Sequence, residues 1–116
     1  MPYSKRQIIE VHFDLEQGTQ LHPGIILSVE DVYNVERHYI CAMISTTSRE
    51  DVYTFPLGKG DTRKPLKDGS QVRTHLIFQI RDEDINGSSP RNSLTEDAFL
   101  RLIDHIDEVV FGVPFE

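Results

Sequence analysis

Little in this chain offers covalent or metal chemistry. Its 116 residues include one cysteine, Cys41, so a disulfide within the chain is excluded. Cys41 stands between Ile40 and Ala42 in an apolar run, where a free thiol behaves as a small hydrophobe. No Cys/His spacing matches a zinc site, and neither a metal nor another cofactor is expected. There is no Ser-His-Asp order with a nucleophile elbow and no glycine loop of the kind that cradles phosphate. Internal repeats and low-complexity segments are missing too. No stretch of about 18 apolar residues could span a bilayer, and no secretory signal is legible. The cytoplasm is therefore the expected compartment. Positive charge is scarce: 12 Lys and Arg against 19 Asp and Glu leave a net −7. That excludes a general nucleic-acid coat protein.

What remains is an ordinary globular composition, 38% hydrophobic and 27% charged. One domain over residues 1–116 is expected, long enough to bury a core without metal or disulfide support. The charge is unevenly spread. From Lys59 to Arg73, five cations against Asp61 and Asp68 give +3, whereas from Glu96 to Glu116 six carboxylates against Arg101 give −5. The first segment offers a local surface for phosphate, or simply a solvated loop.

Hydrophobic periodicity sets the order of elements. Ile8 to Leu15 alternates, with Ile9, Val11, Phe13 and Leu15 on one face, as a half-buried strand does. Glu16 to Gln20 reads as a turn. Ile25-Ile26-Leu27 opens a buried strand with Pro23 at its entrance. Residues 28–34 suggest a short helical turn capped by Ser28. Tyr39 to Ser45 is continuously apolar, hence a central strand. Asp51 to Leu57 alternates again. Residues 58–69 form a polar loop, with a short edge strand around Lys64-Pro65-Leu66. Ser70 to Ile80 makes another strand, and Arg81 to Asn92 is loop, broken at Asn86-Gly87-Ser88-Ser89-Pro90. Phe99, Leu102, Ile103, Ile106, Val109 and Val110 then recur at helical spacing. Ser93 or Thr95 caps this helix, Ser93 with Glu96 fitting a capping box, and Gly112 and Pro114 end it. Five or six short strands followed by one amphipathic helix predict a small, mainly β barrel with the helix over an open side.

Three runs carry polar groups at strand ends. His22-Pro23-Gly24-Ile25-Ile26-Leu27-Ser28 opens one strand. Ile44-Ser45-Thr46-Thr47-Ser48 closes another with hydroxyls. Ser70-Gln71-Val72-Arg73-Thr74 sets an amide, a guanidinium and a hydroxyl within five residues. Arg6-Gln7-Ile8-Ile9-Glu10-Val11-His12-Phe13 precedes them. These four runs, in this order and spacing over roughly residues 6–112, resemble the MazF/PemK family of toxin–antitoxin ribonucleases. The Gln71-Val72-Arg73-Thr74 run is the most specific.

The resemblance implies an SH3-like β-barrel of five to seven strands with a C-terminal helix, paired as a homodimer. It implies metal-independent, sequence-specific cleavage of single-stranded RNA through a cyclic phosphate, and a cognate antitoxin protein that occupies the same groove. It assigns catalysis to His22, Ser45, Thr46 and Arg73, and substrate binding to Phe13, Gln17, Gln71 and Thr74. In the family an arginine stands where this chain has His22, and the turn from Glu16 to Leu21 is shorter than usual here. His22 gives up a permanent bidentate phosphate clamp but gains an imidazole that can act as acid or base near neutral pH.

Each candidate also has a structural role open to it. Arg73 can pair with an acidic neighbour. Ser45 and Thr46 can satisfy their own backbone at the strand end, and alternation turns only one of them toward a groove. Phe13 can belong to the core, and Thr74 points away from Arg73 and Gln71 unless a bulge intervenes. Among the other histidines, His12, His22 and His75 could form a cleaving pair if the strands bring two of them together, while His38 and His105 read as surface residues. A second class of function, a non-catalytic binding module, also fits. CcdB-type toxins share the barrel and bind a protein target through the terminal helix. The carboxylates Asp104, Asp107 and Glu108 and the apolar end Phe111-Gly112-Val113-Pro114-Phe115 suit a protein partner. Convergence of His22, Ser45 and Arg73 in one groove separates the two.

Overall fold

The structure, a computed structural model, describes residues 3–47, 50–87 and 92–113. Ser48, residues 88–90 of the expected breaker, and Pro114 and Phe115 lie outside the described residues.

The first two strands, β1 (Gln7–Leu15) and β2 (Gly18–Ile26), form a tight hairpin. Leu15 pairs with Gly18, so the loop is only Glu16-Gln17 and the expected turn of 16–20 is largely strand. Gly18, at φ +114°, takes a conformation closed to residues with a Cβ. Pro23 lies inside β2 rather than at its entrance. Residues 18–23 pair with β1 alone, because β2 meets the next strand only from Gly24 to Ile26. A missing N–H there breaks no central ladder.

A short helix, α1 (Glu30–Glu36), follows. Its N-cap is Val29, not Ser28. The Ser28 hydroxyl instead accepts a hydrogen bond from the Ile40 N–H at 3.0 Å. The third strand, β3 (Tyr39–Ser45), has the expected bounds. The fourth, β4, shrinks to Thr54–Pro56. Asp51 takes the preceding residues into an Asx turn, its Oδ1 accepting the Tyr53 N–H at 3.0 Å. The polar loop holds no strand at 64–66, only a bridge between Thr62 and Leu94. The fifth strand, β5 (Gln71–Ile80), is as expected. Two short strands, β6 (Ile85–Asn86) and β7 (Asn92–Ser93), occupy the segment expected as loop, and both pair with β1. The last element is the helix α2 (Glu96–Val109). Thr95 caps it, accepting the Ala98 N–H at 3.2 Å. Ser93 is in β7, so the Ser93–Glu96 capping box does not form.

All strand pairs are antiparallel, in the order β4-β5-β3-β2-β1-β6 with β7 also on β1. Mainly β architecture with a C-terminal helix is as expected. No ladder joins β4 to β6 among the described residues, so the sheet is an open relative of the expected barrel. Its two faces carry separate cores. On one, Ala98, Phe99, Leu102 and Ile106 of α2 pack on Ile8, Ile25, Ala42, Ile44, Phe55 and Val72. The other gathers Ile9, Val11, Phe13, Ile26, Tyr39, Cys41, Met43 and Ile80. Tyr33 of α1 closes that second core, stacking on Tyr39 at 4.6 Å between ring centres.

One irregularity decides where the site lies. Ala42 pairs with Ile77 but Met43 pairs with Arg73. A single step along β3 therefore spans four residues of β5, and Thr74, His75 and Leu76 bulge out of the ladder.

Candidate active site

The part of β2 that has no β3 neighbour leaves a gap beside the hairpin tip. The bulge of β5 and the end of β3 form its far wall. The result is an open cleft of about 540 Å³. The hairpin lines it with Asp14, Glu16, Gln17, Gln20 and His22, β3 and its end with Met43, Ser45 and Thr47, and β5 with Arg73, His75, Leu76 and Phe78.

Register explains the convergence. Val11 faces His22, Gly24 faces Met43, and Met43 faces Arg73. Residues directly opposed across antiparallel strands share a face. His22, Met43, Ser45, Gln71 and Arg73 therefore all point away from the face that α2 covers.

Four of the eight sequence-derived site residues, Gln17, His22, Ser45 and Arg73, line the cleft. His22 is half-buried, with Nε2 3.2 Å from Gln20 Oε1. Ser45 is buried, and its hydroxyl accepts the Thr47 N–H at 3.1 Å. It thus satisfies its own strand end while lying on the cleft wall. Arg73 is only 5% exposed. Asp51 holds it in a bidentate pair, with Nη1 to Oδ1 at 3.2 Å and Nη2 to Oδ2 at 3.0 Å, and Nη1 also donates to Thr54 Oγ1 at 2.7 Å. The guanidinium beside Asp51 holds that carboxyl below its ordinary value.

The other four sit elsewhere. Thr46 is exposed and alternates away from Ser45. Phe13 is fully buried beneath the cleft, its ring 4.9 Å from that of Phe78 and 6.5 Å from that of His22. Thr74 is fully buried too. The bulge turns its hydroxyl to the Tyr53 carbonyl at 2.8 Å. Gln71 is 4% exposed, with Nε2 donating to the Thr47 carbonyl and Oε1 lacking a partner among the described residues.

Of the histidines named as a possible cleaving pair, His22 and His75 both line the cleft, the His75 ring lying 4.6 Å from that of Tyr53. One participant was missed by the sequence reading. Asp51 lies 22 residues from Arg73, and nothing in the spacing links them; its Asx turn with Tyr53 was the only local sign. His12 is exposed on the other face of β1, and His105 binds the Val52 carbonyl on α2 at 2.8 Å.

The cleft thus combines two imidazoles, one fixed cation and hydroxyls with the carboxylates Asp14 and Glu16 at its mouth. Such a set can move protons and steady one negative charge. The basic segment contributes only Arg73. Lys59 and Lys67 line a separate hollow with Leu66, and Lys64 another with Ile8 and Pro23.

The family model for PemK-like, MazF-like toxins of type II toxin–antitoxin systems matches residues 4–110. No curated protein matches the chain. Among solved structures, an endoribonuclease in complex with its cognate antitoxin from a mycobacterial species superposes with a TM-score of 0.73 at 18% identity, covering 99% of this chain and 100% of that one. Mycobacterium tuberculosis toxin MazF-mt6 gives 0.72 at 21% identity, over 95% and 100%. MazF from Deinococcus radiodurans gives 0.71 at 8%, over 96% and 98%. At these identities the likeness carries the fold.

Proposed function

We propose that this chain, which belongs to the PemK-like, MazF-like toxins of type II toxin–antitoxin systems, is a metal-independent endoribonuclease acting on single-stranded RNA. The observation that supports this reading best is the convergence of His22, Ser45 and Arg73 on one cleft.

Cleavage without a metal needs a base for the 2′-hydroxyl proton, an acid for the leaving 5′-oxygen, and positive charge at the phosphorane. His22 supplies proton transfer, a contribution on the order of 10²–10⁴ in rate. Arg73 supplies the fixed charge, its guanidinium held still by Asp51 and Thr54. The Ser45 hydroxyl lies beside the same wall and binds a phosphate oxygen. Gln17, at the hairpin tip, contacts an unpaired base, as amides do in unstacked RNA.

A cognate antitoxin protein and a second copy of this chain are the proposed protein partners, and the cytoplasm the proposed compartment. No helix among the described residues is long and apolar enough to cross a membrane. Exposed Phe111 and Val113 at the end of α2 suit a seam between copies.

The test is incubation of purified protein with mixed-sequence single-stranded RNA in EDTA, with the cut ends mapped. Discrete cuts with cyclic-phosphate ends are expected, lost in both His22→Ala and Arg73→Ala while thermal unfolding shows each variant folded. Intact RNA, or cleavage retained in both variants, overturns the nuclease reading and leaves a binding module.

A further inference from the structure

We propose that His75 is a second catalytic residue, forming with His22 the acid–base pair that cuts RNA. This inference rests on the nuclease reading above and names a group that reading does not require.

The position of His75 carries the argument. Arg73 and His75 stand two residues apart on β5, the spacing that shares a strand face, and both line the cleft that His22 lines. The bulge takes Thr74, His75 and Leu76 out of the ladder with β3, and bulges are over-represented beside active sites. The two histidines come from different walls, His22 from β2 and His75 from β5, with Arg73 on the β5 side. An acid and a base for an in-line displacement must stand on different sides of the phosphorus, and a pair from facing walls meets that need. The His75 ring packs on Tyr53, in the turn that also carries Asp51. One turn therefore positions both Arg73 and His75.

The chemistry balances without a co-reactant. The neutral imidazole takes the 2′-hydroxyl proton, and the 2′-oxygen forms a bond to phosphorus. The bond from phosphorus to the 5′-oxygen breaks, and the protonated imidazole gives that oxygen its proton. The products are a 2′,3′-cyclic phosphate and a 5′-hydroxyl. Each imidazole ends in the other's starting form, and proton exchange with water resets the pair. The ionisable groups around them are Asp14 and Glu16 of the hairpin, Arg73 with its Asp51, and Tyr53.

The experiment measures cleavage and binding separately for His75→Asn and His75→Phe. Binding is read with an uncleavable oligonucleotide of the same sequence, 2′-deoxy at the cut site. Cleavage is expected to fall on the order of 10²–10⁴-fold in both variants, with affinity within about threefold of the parent. The parent should give a bell-shaped pH profile, and each variant should lose one limb of it. The phenylalanine keeps a ring against Tyr53, so cleavage retained in His75→Phe assigns the residue to packing and overturns the proposal. If either variant unfolds early, His75→Ala with added imidazole replaces it. Recovery of cleavage supports the pair, and no recovery in a folded protein overturns it. Should the parent protein itself leave RNA intact, the nuclease reading fails and takes this inference with it. A parent that cuts, beside variants that cut equally well, sinks the inference alone.

Discussion

Arg73 is buried, and a buried cation is costly unless paired and hydrogen-bonded. Asp51 and Thr54 answer that cost from the other side of one turn, and in doing so fix the guanidinium plane against the cleft. The pairing is readable through pH. Asp51 is held below the ordinary carboxylate value of 3.8 because Arg73 donates to it. Its contribution is therefore present above that value and is lost as pH falls through the lowered one. Asp51→Asn should melt below the parent at neutral pH, and the two melting curves should converge in acid, between about pH 5 and pH 2. An equal gap at both ends would show that packing, not charge, ties Asp51 to Arg73. A second prediction concerns Cys41, which is fully buried between β2 and β5 with its thiol pushed up to about 12 by desolvation. A thiol reagent should find no reactive group in the native protein and one per chain after denaturation. Reaction at native rates would mean that this core opens.

At the scale of elements, β2 is constrained by what lies under it. A Cβ on Gly24 would come within 3.0 Å of Phe13 Cζ and 3.5 Å of the Ala42 carbonyl oxygen. Phe13 is itself enclosed, so it cannot swing aside. Gly24→Ala should cost about 1–3 kcal/mol in denaturant unfolding, and a neutral result would show the Phe13 cage to be looser than its burial implies. Thr95→Ala removes the one side chain that caps α2 and should cost about 1 kcal/mol. These elements also show what the residues disclose by themselves. The spans of β1, β5 and α2 follow from periodicity, whose pattern must match the pleat or the helical turn, and that of β3 from a continuous apolar run buried on both faces. The registers do not. The family resemblance named His22, Ser45 and Arg73 together, whereas alternation placed only Gln71 and Arg73 on one face and counted β5 as continuous. The bulge is set by pairing with β3 and by Tyr53, whose carbonyl takes both the N–H and the hydroxyl of Thr74. That contact spans 21 residues, and no local pattern reports it. The Ser28 cap failed for a similar reason, since the Ile40 N–H, 12 residues on, claimed the hydroxyl first.

For the whole molecule the question is how a chain of net charge −7 binds a polyanion. Composition alone draws attention to the basic segment from Lys59 to Arg73, but the fold distributes it. Lys59, Lys64 and Lys67 line other hollows, and only Arg73 reaches the cleft, already paired. Asp14 and Glu16 add negative charge at the mouth. Few phosphates can then be neutralised on binding. For single strands each contributes a slope of about −0.7 in the logarithm of affinity against the logarithm of salt concentration. With Arg73 and at most two protonated imidazoles engaged, the slope should lie between about −0.7 and −2. Titration of an uncleavable RNA over about 50–200 mM salt measures it, and Lys59→Glu with Lys67→Glu should leave it unchanged. A slope steeper than about −3, or one flattened by those two changes, would move the RNA path off the cleft and onto the lysine loop. Within the predicted range, affinity must come from hydroxyls, amides and stacking instead. Of these, the hydrogen bonds that hydroxyls and amides make to base edges distinguish one base from another, so whatever sequence selectivity such a site has must come from them.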